Sequence, residues 1–220
     1  MSNRIKTVYI LLTGLLVLGG IYYFIPLSKK GKIKIQWTDN LKGDFGFSAE
    51  WDYPEGVYRN EFGQLDCNGL CPEGIERLKD ATGKIRTDSM DRFYQLVDTT
   101  HLYHSILCEA RCDEWAGTNF ISARRLNENT VYCATAMNAA THCSLVFEIS
   151  GDICTPGIEL LSISPSGQHT YYCKSGFIKV SRDFWKKGIL RAEFHYVFDN
   201  TDKNGEELFW KGKIHTPIEE

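Results

Sequence analysis

The sequence lacks the short motifs that mark common enzyme families. It contains no G-x-S-x-G nucleophile elbow, no H-E-x-x-H zinc motif, no P-loop and no G-x-G-x-x-G dinucleotide motif. It also lacks an excess of positive charge, because 28 acidic residues outnumber 25 basic ones. We therefore expect no nucleic-acid partner and no cofactor, and we favour a protein without enzymatic activity. A hydrophobic content of 43% and a charged content of 24% exclude a disordered or fibrous chain.

Charge is also absent from one long stretch near the N-terminus. No charged residue occurs in 7–28, between Lys6 and Lys29. A helix of that length spans roughly 33 Å, which is enough for a hydrocarbon core of about 30 Å. Pro26 helps to end such a helix. We predict a short tail over 1–6 and an uncleaved transmembrane anchor over 7–28, with the lipid bilayer as its partner.

Two features of the sequence give opposite predictions for the orientation of this anchor. Lysines follow the span in 29–34, and the positive-inside rule would place the body of the chain in the cytoplasm. Eight cysteines favour the opposite side, since disulfides persist in oxidising compartments. We predict a periplasmic or extracellular body, and a cytoplasmic body with reduced thiols remains the alternative.

The body of the chain is dominated by strand patterns. Residues 29–36 read as a basic stem and first strand, and 37–220 as a disulfide-stabilised domain. Apolar residues alternate with polar ones in 45–53 and again in 190–198, and the turn-rich DNTDKNG makes 189–215 a hairpin. Further strands are predicted over 118–126, 130–136, 143–150, 158–163, 169–174 and 176–181.

Two helices are predicted to interrupt these strands. Pro72 and Gly83 bracket a short helix over 72–81. A long helix over 89–112 follows Asp88, a plausible N-cap, and carries apolar residues at helical spacing. The predicted fold class is α+β and β-rich. It consists of an N-terminal transmembrane helix followed by an antiparallel β-sandwich or half-open barrel, with one long and one short helix packed on it.

All eight cysteines are predicted to form structural disulfides. Cys133 and Cys143 are equidistant from the middle of a strand–loop–strand stretch, where a hairpin would bring them together. The next pair along the chain is Cys154 with Cys173. The remaining cysteines form two C-x3-C motifs, which would be joined to each other and pin the long helix. These motifs are Cys67/Cys71 and Cys108/Cys112.

A metal site is the sharper alternative for part of this set. His101, His104, Cys108 and Cys112 would fall on one stripe of the long helix and supply zinc ligands. The stripe is about 16 Å long, so one ion cannot reach every member. The matching enzyme hypothesis is a metal-dependent or hydrolytic activity that uses the His, Cys and carboxylate residues of 98–112.

Aromatic residues give a modest indication of a binding surface. They make up 13% of the chain. Alternation assigns Trp37, Trp51 and Trp210 to buried faces and leaves Trp115 and Trp185 as candidates for exposure. We predict a single-pass membrane-anchored extracytoplasmic protein that binds a protein, peptide or glycan, or has a structural role in the envelope.

Overall fold

The computed structural model describes residues 31–69, 71–112, 118–136, 142–161, 168–201 and 204–220. The strands are β1 (Ile33–Lys34), β2 (Gln36–Thr38), β3 (Trp51–Asp52), β4 (Val57–Arg59), β5 (Leu65–Cys67), β6 (Leu102–Tyr103), β7 (Ile106–Arg111), β8 (Ile121–Asn127), β9 (Thr130–Thr135), β10 (Cys143–Ser150), β11 (Ile153–Leu161), β12 (Gln168–Ser181), β13 (Ile189–Thr201) and β14 (Glu207–Glu219). The helices are α1 (Met90–Leu96) and α2 (Arg182–Trp185), with 3-10 helices at Gly46–Ala49, Ile75–Leu78 and Thr87–Ser89.

No helix within these described ranges is long and apolar enough to cross a membrane. The predicted anchor over 7–28 lies outside the described residues.

Seven strands close into a barrel, in the order β11–β10–β9–β8–β14–β13–β12 and back to β11. The ring closes where Gly157 of β11 pairs with Tyr172 of β12, and where Ile218 of β14 pairs in parallel with Ala123 of β8. The predicted sandwich or half-open barrel is therefore wrong, because these pairings leave neither end of the sheet unpaired. The fold is mostly β with few helices, and the predicted β-rich character is confirmed.

The barrel interior is filled by alternate side chains of its strands. In β13 the buried positions run from Leu190 to Phe198 in steps of two, and the residues between them face outward. Trp210 of β14 is fully buried in the same core. This confirms the predicted alternation and the hairpin of β13 with β14, whose strands pair from Ile189 onward.

A smaller unit, which we call the cap, comprises residues 51–103 and packs beside the barrel. Its separate core consists of buried Leu65, Cys67, Ile75, Ile85, Phe93 and Val97. Asp66 is also buried and accepts hydrogen bonds from the Cys67 N–H and from Lys79, whose Nζ lies 3.0 Å from its Oδ1. The cap is therefore stabilised by an apolar cluster and one buried ion pair.

The predicted long helix over 89–112 is wrong. The helix α1 ends at Leu96, and Asp98 Oδ1 then accepts the Thr100 N–H in a local turn that competes with helix. The segment from Ile106 onward forms β7, which pairs with β14. Its side chains alternate between buried and exposed, as in a strand with one covered face.

Two shorter predictions also need correction. The predicted helix over 72–81 is a single 3-10 turn, Ile75–Leu78. The predicted strand over 45–53 is a 3-10 helix, Gly46–Ala49, followed by the two-residue strand β3. Phe45 and Phe47 still bury their rings, because both lie in a small cluster with Leu41 on the outside of the barrel.

Ser105 joins the cap end of β7 to the barrel seam. Its Oγ donates to the Ile121 carbonyl at 2.9 Å and accepts the Ile121 N–H at 2.7 Å, and its carbonyl accepts the His215 N–H. It thereby links β14 to β8 beside their two paired positions and beside the Thr216 hydroxyl, which also donates to the Ile121 carbonyl.

Replacing Ser105 by alanine should destabilise the protein by about 1–2 kcal/mol, because the Ile121 N–H loses its acceptor while the Ile121 carbonyl keeps the Thr216 hydroxyl as a donor. Urea unfolding of the full chain measures this. Ser122→Ala is the control, since its exposed hydroxyl makes only one long contact, 3.5 Å to the Ala134 carbonyl. Equal losses in the two variants would show that Ser105 does not stabilise the seam.

Candidate ligand-binding groove

A groove in the described part of the protein lies between the cap and the barrel. It has a volume of about 1120 Å³. Sites at the junction of two packed units commonly bind ligands. The lining residues are Trp51, Asp52, Tyr53, Pro54, Glu55, Gly56, Val57, Tyr58, Arg59, Leu102, Ser105, Thr118, Phe120, Ile121, Ser122, Ala134, Thr135, Ala136 and Glu219.

The barrel side of the groove is built from small side chains. Ser122 of β8 and Ala134 of β9 are paired residues, and Ala136 follows the end of β9. All three are at least partly solvent-exposed. Because these residues project so little from the sheet, they leave a shallow floor against which an extended ligand can lie.

The cap side is built from aromatic rings. The rings of Trp51 and His101 stack with centroids 3.6 Å apart and planes 12° apart. Tyr53 meets both edge-on, at 5.0 Å from Trp51 and 5.5 Å from His101. Tyr58, further along the same wall, is 43% exposed. This ring cluster is held by aromatic contacts and presents a rigid apolar wall.

A positioned carboxylate lies beside this wall. Oδ2 of Asp52 is 2.8 Å from Nε2 of His104 and accepts a hydrogen bond from Nδ2 of Asn119 at 3.2 Å. The other ring nitrogen of His104 lies 3.6 Å from Glu50. Both contacts to Asp52 use Oδ2, so its Oδ1 has no protein partner in the described part of the chain and can accept from a ligand.

The other charges of the groove leave it acidic. Glu55 and Glu219 are exposed and form no ion pair or side-chain hydrogen bond with any described residue. Arg59 is the single cation among the lining residues, and its guanidinium donates to the Gly63 carbonyl at 3.0 Å and to the Tyr53 hydroxyl at 3.4 Å. Three lining carboxylates therefore face one cation.

The predicted metal and enzyme residues are not brought together as expected. Because β7 replaces the long helix, His101, His104, Cys108 and Cys112 share no helical stripe. His101 stacks on Trp51, and His104 contacts Asp52. Across the residues whose positions are described, no group of three or more His, Cys, Asp or Glu side chains could hold a metal ion.

Ser105 is not positioned as a nucleophile either. Ser105 lines the groove and follows His104 directly, but its hydroxyl is engaged with the backbone of Ile121. A nucleophilic serine needs a hydrogen bond to a base such as histidine. The hypothesis of a hydrolytic site on a 98–112 helix is therefore wrong in its structural premise.

Among the residues that the structure describes, a disulfide joins Cys67 to Cys71 in the cap. The predicted links from these two residues to Cys108 and Cys112 are therefore wrong. The hairpin argument for Cys133 and Cys143 is also wrong, because β9 and β10 pair in a register that places Cys133 opposite Phe147. The Cys67–Cys71 disulfide therefore closes a short loop within the cap and does not join the cap to the barrel strands.

Three other cysteines lie as thiols inside the barrel. Cys133, Cys154 and Cys173 are buried, and the Tyr196 hydroxyl oxygen lies 3.4 Å from the Cys154 sulfur. Burial raises the pKa of Cys154 to about 12 and that of Cys173 to about 11. Burial also raises the pKa of Cys108, on β7, to about 11. Burial likewise raises the pKa of Cys133. These four thiols are therefore protonated and poorly nucleophilic at neutral pH.

Trp51 of the groove wall was predicted wrongly from the sequence. Alternation assigned it to a buried face, yet 38% of its surface is exposed and it lines the groove. Trp210 is buried as predicted. Trp185, a candidate for exposure, is half-buried with its ring centroid 5.4 Å from that of Trp37. Trp115 lies outside the described residues.

Comparison with protein-family models, with curated proteins and with solved structures found no match.

Proposed function

We propose that this protein is a non-enzymatic binding protein that holds an extended ligand in the groove between the cap and the barrel. The observation that carries the proposal is the groove itself, with a rigid aromatic wall on one side and a floor of small side chains on the other. Its volume of about 1120 Å³ exceeds the range of roughly 300–1,000 Å³ that is usual for small-molecule sites, which favours a peptide-sized or oligosaccharide-sized ligand.

The proposal includes attachment to the membrane through the N-terminal segment, with the body in the periplasm or outside the cell. The uncharged run over 7–28 supports the attachment. The Cys67–Cys71 disulfide supports an oxidising compartment.

An array of defined peptides and oligosaccharides, probed with the full-length chain in mild detergent, tests the binding function. We expect retention on at least one class of probe and loss of that retention in Trp51→Ala, because the substitution removes the largest ring of the groove wall. Tyr94→Ala is the control, since Tyr94 is a 49% exposed aromatic residue of the cap outside the groove. Retention on no probe, or equal retention by Trp51→Ala and the parent, would overturn the proposal.

A further inference from the structure

We infer that the groove binds a peptide segment rich in lysine or arginine, an inference that rests on the proposed binding function. Two independent features of the lining residues favour this ligand class over others, namely their charge and their aromatic content.

The charge of the lining is unbalanced. Asp52, Glu55 and Glu219 contribute three carboxylates, while Arg59 contributes one guanidinium. Several cross-strand carboxylates elsewhere on the barrel have lysine partners, as Glu109 has in Lys211 at 2.9 Å. Within the described residues the groove carboxylates Glu55 and Glu219 have no such partner. An approaching cation would supply the missing partners, and a negatively charged ligand would be repelled.

The single cation of the groove does not neutralise these carboxylates. The Arg59 guanidinium donates to the Gly63 carbonyl and to the Tyr53 hydroxyl, both within the cap. It therefore orders the turn over 60–64 and the ring of Tyr53. The acidic side chains remain available to a ligand.

The aromatic wall is suited to cationic side chains. Lysine and arginine are attracted to the faces of tryptophan, tyrosine and phenylalanine, and their apolar stems pack on the rings. This protein uses the same contact on its own surface, where the Arg191 guanidinium lies 4.0 Å from the Phe45 ring centroid. In the groove, Trp51, Tyr58 and Phe120 lie in one lining with Asp52, so that a cation can meet ring and carboxylate together.

A neutral oligosaccharide fits these features less well. A neutral sugar would leave the carboxylates of Glu55 and Glu219 without counter-charge. An extended peptide can place successive side chains along a groove of about 1120 Å³ and pair with both carboxylates.

Calorimetric titration of the full-length chain in mild detergent tests this inference. The probe is a blocked nonapeptide in which lysine alternates with glycine. The comparison probes replace lysine by glutamine or by glutamate, and cellohexaose serves as a neutral sugar. We expect the lysine peptide to bind, the glutamate peptide not to bind, and the affinity for lysine to fall several-fold between about 50 and about 300 mM NaCl.

The double variant Glu55→Gln/Glu219→Gln should weaken binding of the lysine peptide by about tenfold, through the loss of two exposed ion pairs. The matched control is Glu73→Gln/Glu128→Gln, which removes the same charge from two exposed residues outside the groove. It should leave the affinity within about twofold.

The outcomes separate this inference from the proposed function. Equal weakening by the two double variants would overturn the inference, because attraction would then be a property of the whole surface. Binding of cellohexaose or the glutamine peptide that Trp51→Ala abolishes and the charge variant leaves unchanged would overturn the cationic ligand class while supporting a binding groove. Failure of the lysine peptide to bind also overturns the inference, and the array then decides the proposed function separately.

Discussion

Replacing Asp66 by alanine is expected to destabilise the cap by about 3 kcal/mol. The Asp66 side chain is 5% exposed and accepts the Cys67 N–H at 2.7 Å, while Lys79 Nζ lies 3.0 Å away. Its removal leaves the largely buried Lys79 ammonium without its nearest buried counter-charge and deprives a buried N–H of its acceptor. Urea unfolding, followed by far-UV circular dichroism with the Cys67–Cys71 disulfide intact, measures the loss.

The matched control uses the same ammonium group. Lys79 Nζ also lies 2.8 Å from Glu76, whose side chain is 79% exposed. Glu76→Gln should cost less than about 1 kcal/mol, because water screens an exposed pair. Equal losses of stability in Asp66→Ala and Glu76→Gln would contradict the prediction that the Asp66–Lys79 pair stabilises the cap more strongly because it is buried.

The same pair predicts a dependence of stability on pH. Burial of the Asp66 carboxyl alone would raise its pKa, but Lys79 and the Cys67 N–H outweigh burial and hold the pKa below its ordinary value. A lowered pKa in the folded state means that the stabilisation is present above the unfolded-state value of about 3.9 and is lost as pH falls through the folded-state pKa. The stability difference between the parent and Asp66→Asn should therefore be constant from about pH 5 to pH 8 and shrink as pH falls below about 4.

This network also connects the cap core to the groove. The Tyr58 hydroxyl reaches Oδ2 of Asp66 at 3.5 Å, and the Tyr58 ring lines the groove wall. Asp66→Ala should therefore weaken binding of the lysine peptide that we propose as a ligand, although Asp66 does not line the groove. The position of the Tyr58 ring thus depends on a residue outside the groove.

The parts of the fold that follow from local sequence were the predictable ones. In β13, apolar and polar residues alternate without interruption, and the structure buries Leu190 through Phe198 as that alternation requires. Closure of the barrel was not predictable in this way. It depends on the pairing of β14 with β8 and of β12 with β11, and the first of these joins segments that are distant in sequence.

The prediction of a long helix over 89–112 was wrong for a related reason. Ile106, Cys108 and Ala110 are compatible with a buried strand face, and the apolar residues around them also fit helical spacing. The choice between helix and strand is made by β14, whose Gly212 pairs with Cys108. That partner lies more than a hundred positions away, so a local window contains no sign of it.

The groove could not be predicted from the sequence for a different reason. The alternation around Trp51 and Asp52 predicted a strand over a buried face, but β3 is only two residues long and pairs with β6 alone. With no sheet beneath it, Trp51 remains 38% exposed. Asp52 is positioned by His104 and Asn119, and neither contact can be inferred from sequence spacing.

Gly176→Ala is expected to destabilise the barrel by about 3–4 kcal/mol. The strand β12 changes its pairing partner along its length. It pairs with β11 up to Tyr172 and with β13 from Cys173 onward, with an irregularity between Cys173 and Ser175, and its last residues also pair with β2. Gly176 follows this irregularity with φ of 144°, in the region that favours glycine. A Cβ there would also overlap the His195 carbonyl oxygen of β13. Relief of that overlap requires β12 and β13 to separate where the barrel bends.

The comparison with Gly205→Ala separates the two causes of that loss. Gly205 has φ of 79°, and a Cβ built on it would meet nothing within 4 Å. Gly205→Ala therefore incurs the cost of positive φ without a steric overlap. We expect this cost to be about 1 kcal/mol. Thermal and urea unfolding of both variants measure the difference. Similar losses in the two would mean that close approach of β12 to β13 does not constrain position 176, and that a looser contact is enough to close the barrel.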